Sequence, residues 1–149
     1  VIIPFDTFTM LRSPIEHHRT LERCRAHLQD GGLLIVDVIN PFALPSSDQN
    51  GLRRRRFEAE LGSATVVAYD CAEVDYAAQV MRMRVEYKIA GGAGPCSTAV
   101  EIPVRWVYRF ELEALMKLAR LRVSAVYGDY DRSEYDDTSP RLIVTATSG

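Results

Sequence analysis

Seven consecutive residues, Leu33-Leu34-Ile35-Val36-Asp37-Val38-Ile39, constrain this chain more than any other feature. Only Asp37 interrupts a run that is apolar on both sides of a strand's alternation. Such a strand must be covered on both faces, the habit of parallel sheets flanked by helices. The residues before it supply partner elements. Val1-Ile2-Ile3-Pro4-Phe5 is a short apolar run closed by Pro4 and Asp6. Ser13-Pro14-Ile15-Glu16 reads as a helix start, because Ser13 caps, Pro14 suits the first helical position and Glu16 completes a capping box. Leu21, Cys24 and Leu28 continue at helical spacing, and Gly31-Gly32 is expected to end the helix as a left-handed cap. Strand, helix, tight return and strand make a βαβ unit over residues 1–41, with a right-handed crossover.

The pattern then changes. Asn40 to Asn50 is a polar, Pro-containing loop. Residues 57–61 alternate, Gly62-Ser63 turns, and 64–75 continue as strand. Met81, Met83, Val85, Tyr87 and Ile89 face one way, while Arg82, Arg84, Glu86 and Lys88 face the other. Val100, Ile102, Val104, Trp106 and Tyr108 repeat the alternation after the Gly91-Gly92-Ala93-Gly94-Pro95 break. Residues 52–109 are therefore an antiparallel insert, a meander wet on one face. The remainder, 110–149, returns to the first style. It holds a helix from Phe110 to Arg120, a strand from Val123 to Tyr127, an acidic loop from Gly128 to Pro140 and a last strand from Leu142 to Thr147.

Length and charge narrow the function classes. A chain of 149 residues is one domain and buries roughly 70% of its unfolded surface, so its core needs no metal or disulfide. A net charge of −2 gives no clustered positive excess for nucleic acid. No apolar run approaches the roughly 20 residues of a membrane helix, and no secretory leader is visible. Cys24, Cys71 and Cys96 are an odd, unpatterned set, read as reduced thiols of a cytoplasmic protein. The opening at Val1, in the middle of a buried-looking strand, is expected to mark a piece of something longer.

The element order, with four particular segments, resembles the C-terminal half of a class I S-adenosylmethionine-dependent methyltransferase. The segments are Ile2-Ile3-Pro4-Phe5-Asp6-Thr7-Phe8, Gly31-Gly32 through Asn40-Pro41, Val126-Tyr127-Gly128-Asp129-Tyr130-Asp131, and Ser139-Pro140-Arg141-Leu142-Ile143-Val144. The resemblance implies an α/β fold: a partial Rossmann-like methyltransferase sheet, with βαβ followed by a helix and an antiparallel strand pair, and an inserted antiparallel β-meander. The meander matches an insert that many small-molecule methyltransferases place over the substrate site. The resemblance further implies that Phe5, Asp6 and Thr7 flank the methionine moiety of S-adenosylmethionine. Asn40, Pro41, Arg105, Trp106 and Tyr130 are the candidate substrate-binding residues; Asn40 and Pro41 end a strand, where open α/β sheets place ligands. The family's first strand, its Gly-rich turn and its ribose-holding acid have no counterpart in these residues. Gly91-Gly92-Ala93-Gly94 is no substitute, because it does not open a helix that could aim N–H groups at a cofactor.

Other constellations carry less. His17, His18, His27 and Cys24 lack a second ligand pair, so no metal site is expected. The acidic residues between Asp129 and Asp137 lack the central Gly and late Glu of a calcium loop. Arg53 to Arg56 is read as a solvated strand entry. Trp106 with Tyr108, Tyr87 and Met83 lines either a small apolar pocket or plain core. No catalytic residue is assigned.

Topology sharpens the reading. Two right-handed crossovers moving the same way put both helices on one sheet face and leave the other bare. Either the meander folds over that face or a second copy does; a homodimer is expected, driven by the bare face, the Ile2–Phe5 edge or the meander. Three functions stay open: a truncated methyltransferase inactive alone, an active enzyme completed by upstream sequence or a partner chain, and a dimeric small-ligand-binding or interaction protein.

Overall fold

The computed structural model describes residues 1–46, 49–91 and 94–149. Ser47 and Asp48 of the polar loop, and Gly92 and Ala93 of the Gly-rich break, lie outside the described residues. In chain order the elements are β1 (Ile2–Ile3), α1 (Pro14–Ala26), β2 (Leu33–Ile39), β3 (Arg54–Leu61), β4 (Ala64–Asp75), β5 (Val80–Gly91), β6 (Cys96–Arg105), α2 (Arg109–Leu118), β7 (Leu121–Tyr127) and β8 (Arg141–Ser148). Short 3-10 turns, Thr7–Met10 and Pro41–Ala43, follow β1 and β2. The chain divides into two compact units, Val1–Leu44 with Arg105–Gly149, and Pro45–Val104.

The first unit is a four-stranded sheet in the order β1-β2-β8-β7. β1 runs parallel to β2, with Ile2 opposite Ile35 and Ile3 opposite Val36. β8 is antiparallel to β2 from Leu33↔Thr147 to Ile39↔Arg141, and β7 is antiparallel to β8. This is the βαβ unit and closing antiparallel pair that the sequence implies. Ser13 starts α1 as expected: its hydroxyl accepts the Glu16 N–H at 3.2 Å, and Glu16 Oε2 accepts the Arg12 N–H at 2.8 Å. The Arg12 backbone bond, seconded by the Ser13 hydroxyl, holds the Glu16 carboxyl below its usual pKa.

The helix end differs from expectation. α1 stops at Ala26, and His27, right-handed at φ −102°, is its C-cap. The His27 N–H reaches the Cys24 carbonyl, and its Nδ1 lies 2.8 Å from the Arg23 carbonyl, so the last turn closes without a glycine. Gly31, at φ +73°, serves the later turn into β2 instead.

Alternation along the strands decides where the core sits. Leu34, Val36 and Val38 of β2, and Leu142, Val144 and Ala146 of β8, are fully buried. They meet Leu21 of α1 and Leu112 and Met116 of α2 in one cluster. Both helices therefore cover the same face. On the opposite face Ile2 is 63% exposed and Leu33 42%.

The second unit is an antiparallel sheet in the order β3-β4-β5-β6. Gly62-Ser63 joins β3 to β4 with Leu61 opposite Ala64, and Gly62 takes φ +64°, the left-handed turn conformation that glycine adopts without strain. Ala68, Val74 and Met81 are buried while Arg82, Arg84 and Lys88 are exposed. Each arginine of the basic run has a partner: Arg53 on Glu86, Arg54 on Gln49, Arg55 on Glu58 and Arg56 on Asp70. The run is a paired strand entry. One strand is shorter than its alternation suggests, because β6 ends at Arg105. Trp106 and Val107 are consecutive and both buried, which a strand with one wet face does not allow.

Candidate functional site

Parallel pairing makes β1 and β2 leave the sheet at the same edge, so residues 5–7 emerge beside residues 37–41. Phe5 (φ 51°) and Asp6 (φ 61°) are both left-handed, a conformation that costs non-glycine residues about 1 kcal/mol or more each. Hydrogen bonds hold them there. The Phe5 N–H donates to Asp37 Oδ2 at 3.0 Å, and the Asp6 N–H to the Asp37 carbonyl at 3.2 Å. The Asp6 carboxylate accepts the Ile39 N–H in return.

Arg141, the first residue of β8, sits between the two carboxylates. Its Nε is 2.7 Å from Asp37 Oδ1 and its Nη1 3.2 Å from Asp6 Oδ2. Burial opposes the guanidinium charge, but the bonds to Asp37 and then Asp6 outweigh it and raise the Arg141 pKa. Tyr130 donates its hydroxyl to Asp37 Oδ2 at 2.8 Å, and losing that bond to a carboxylate pushes the phenol pKa up. The single acid in the apolar run thus has donors on both oxygens. This is the condition under which a carboxylate only 3% exposed is tolerated.

Asn40 organises the next layer. Its Nδ2 donates to the Ser139 carbonyl at 2.7 Å and the Asp136 carbonyl at 3.1 Å. Its Oδ1 accepts from the Tyr135 hydroxyl at 2.9 Å and from the Phe42 N–H at 3.2 Å. One fully buried amide therefore ties the 128–140 loop to the end of β2. The loop departs at Gly128, where a Cβ would stand 2.9 Å from the Glu134 carbonyl oxygen, too close for any side chain.

Below this polar edge, the face away from the helices carries a groove of about 680 Å³. Ile2, Ile35, Ile143 and Thr145 form its floor, and Phe5, Asp37 and Tyr130 its polar end. Two rings stand free at that end, Phe5 at 75% exposure and Tyr130 at 61%.

The other residues expected at a site fall differently. Thr7 is exposed, its hydroxyl donating to the Pro4 carbonyl at 2.5 Å. Asp6 is committed to Arg141 and Ile39. Asn40 and Pro41 are buried, as are Arg105, which pairs with Glu111 at 2.7 Å, and Trp106. These four shape the scaffold behind the site. Arg141 and Tyr135 were not singled out from the sequence. Asp37 in an apolar strand called for a cation on a paired strand, and Arg141, two residues from Asp37's partner Ile143, answers it.

Among the described residues no group of three or more His, Cys, Asp or Glu gathers to hold a metal. Among the same residues no helix is long and apolar enough to cross a membrane.

No family model matches the chain, and no curated protein does. Solved structures do. An S-adenosylmethionine-dependent methyltransferase from Clostridium acetobutylicum ATCC 824 matches with a TM-score of 0.81 at 15% identity, over 99% of this chain and 57% of that one. The fold is that of the S-adenosylmethionine-dependent methyltransferases. The CcbJ methyltransferase from Streptomyces caelestis matches with a TM-score of 0.77 at 18% identity, over 100% of this chain and 60% of that one. CalS10, an amino pentose methyltransferase from Micromonospora echinaspora solved with its methyl donor bound, gives 0.75 at 18% identity, over 99% and 58%. The chain thus spans less than two thirds of each of these three methyltransferases. Its own residues fit the methyl donor only in part. Phe5 and the apolar floor present surface, but the Asp6 and Asp37 carboxylates are both engaged by Arg141, so neither is free for the ribose hydroxyls.

Proposed function

We propose that these residues form the substrate-side portion of a small-molecule S-adenosylmethionine-dependent methyltransferase, and that alone they neither bind the cofactor nor catalyse. Cofactor binding requires a Gly-rich strand–turn–helix, contributed by further sequence or by a partner chain. The open sheet face carries this reading: an apolar groove ends at Phe5, Asp37 and Tyr130, on the strand edge where open α/β sheets receive ligands. Coverage of 57–60% of the matching methyltransferases supports it. In the completed site Phe5 and Thr7 lie against the methionine moiety, with Asp37 holding the Phe5 backbone and Asp6 that of Ile39. Tyr130 faces the substrate, while Asn40, Pro41, Arg105 and Trp106 hold the walls. Three free thiols suit a reducing compartment such as the cytoplasm.

The groove's volume also favours a second reading, a small-ligand-binding protein that reuses the half-fold, since about 680 Å³ lies within the range of ligand sites. In either case the isolated chain pairs with a second copy of itself.

Calorimetry with S-adenosylmethionine tests the first reading. The isolated chain is expected to give no binding heat at micromolar cofactor, and to leave an amino sugar, the substrate class named for CalS10, unmethylated. A micromolar dissociation constant would overturn the requirement for a second portion.

A further inference from the structure

A second polar chain runs through the interior, and it shares only Arg105 with the proposed site. His17 of α1 is fully buried. Its Nε2 lies 3.0 Å from the Phe8 carbonyl, and its ring stacks on Phe8 with centroids 4.3 Å apart. Its Nδ1 lies 3.4 Å from Arg105 Nη1, and Arg105 Nη2 lies 2.7 Å from Glu111 Oε1 of α2. A carbonyl can only accept and a guanidinium can only donate, which fixes the imidazole as neutral, with its proton on Nε2 and a lone pair on Nδ1. The relay therefore joins α2 to α1, and α1 to the Thr7–Met10 turn that continues directly from Phe5 and Asp6. A proton on Nδ1 would set two N–H donors and two cations against each other.

We infer that the His17–Arg105–Glu111 relay is a pH-sensitive latch, which fastens the turn behind Phe5, Asp6 and Thr7 while His17 is neutral and releases it when His17 is protonated. The groups facing the ring are Arg105, Glu111 of α2 and Glu16 of its own helix. The two acids favour the proton. Glu111, however, is neutralised by Arg105, and Glu16 is occupied at the helix start. Burial first and Arg105 second prevail, lowering the His17 pKa from 6.5. A histidine whose pKa is lowered on folding adds stability that is complete above the unfolded-state pKa, near 6.5, and is lost as the pH falls from there through the folded-state pKa.

Amide exchange in the turn reads the latch directly. The Thr9 N–H bonds the Asp6 carbonyl and the Leu11 N–H bonds the Phe8 carbonyl, so both report on the turn. From the unfolded-state pKa near 6.5 down to the lowered His17 pKa, their protection factors are expected to fall by about tenfold per pH unit, one proton's worth, and to level off below it. Nitrogen NMR is expected to show the Nε2–H tautomer at neutral pH. The His17→Gln variant offers an amide N–H to Phe8 and an oxygen to Arg105, and it does not titrate. Its protection factors should stay level over the same range. Equal pH-dependent loss in both proteins, or no loss in either, would overturn the latch. Should the glutamine variant fail to fold, the wild-type ring decides: loss of protection confined between pH 6.5 and the titration midpoint of His17 supports the latch, and loss outside that window overturns it. No methyl donor enters this test, so its outcome is independent of the methyltransferase reading.

Discussion

Replacing Arg141 with methionine is expected to destabilise the chain by about 3 kcal/mol and lower its melting temperature by roughly 6–12 °C. Methionine keeps most of the volume, so the effect isolates the charge. Asp37, with a side chain 5% exposed, loses its cation in a nearly dry setting, while Asp6, at 38%, recovers solvation. The estimate therefore takes the low end of the range for breaking a buried pair. The same change removes the cation that fixes the Asp37 and Asp6 carboxylates, and with it the support of the bond from the Phe5 N–H, so Phe5 and Asp6 should relax and their amides exchange faster. A thermal melt with exchange at Phe5 and Ile39 checks both effects. A loss below about 0.5 kcal/mol, the size of an exposed pair, would mean that Arg141 does not organise the edge.

The second large effect belongs to Asn40. In Asn40→Ala the carbonyl of Ser139, the hydroxyl of Tyr135 and the N–H of Phe42 all lose their side-chain partner. Leaving buried polar groups unpaired costs about 1–3 kcal/mol each, not additively, so a total near 3 kcal/mol is expected. Much of it should appear as local opening of the 128–140 loop, by roughly a hundredfold at 1.4 kcal/mol per decade. Limited proteolysis should then cut within that loop in the variant while wild type resists. An unchanged cleavage rate would show that Tyr135 and Ser139 hold the loop without the amide.

The architecture was readable where one residue pattern had one physical solution. The run from Leu33 to Ile39 is apolar on both sides, so its sheet called for cover on both faces, of which α1 and α2 supply one, and Ser13-Pro14 with Glu16 allowed one helix start. The Gly62-Ser63 turn was equally determinate. The site was harder to read, because its residues are joined across the chain. Asp37 and Arg141 lie 104 positions apart and Asn40 and Ser139 99 apart, and a sequence read locally pairs neither. Trp106 was ambiguous for another reason: a strand's alternation fitted it, and only tertiary packing made it core. The C-terminus of α1 was misread because a Gly-Gly pair is the usual stop, whereas the His27 backbone closed the turn first.

The account rests on the sheet face that α1 and α2 do not cover. Ile2, Leu33, Ile35 and Ile143 share that face with the groove, and apolar surface of this kind seeks a partner. Light scattering across a dilution series, on the isolated chain of 16.8 kDa, measures whether it finds one. The account predicts a mass of twice the monomer that dissociates only on dilution, whereas a monomeric mass at every concentration would contradict it.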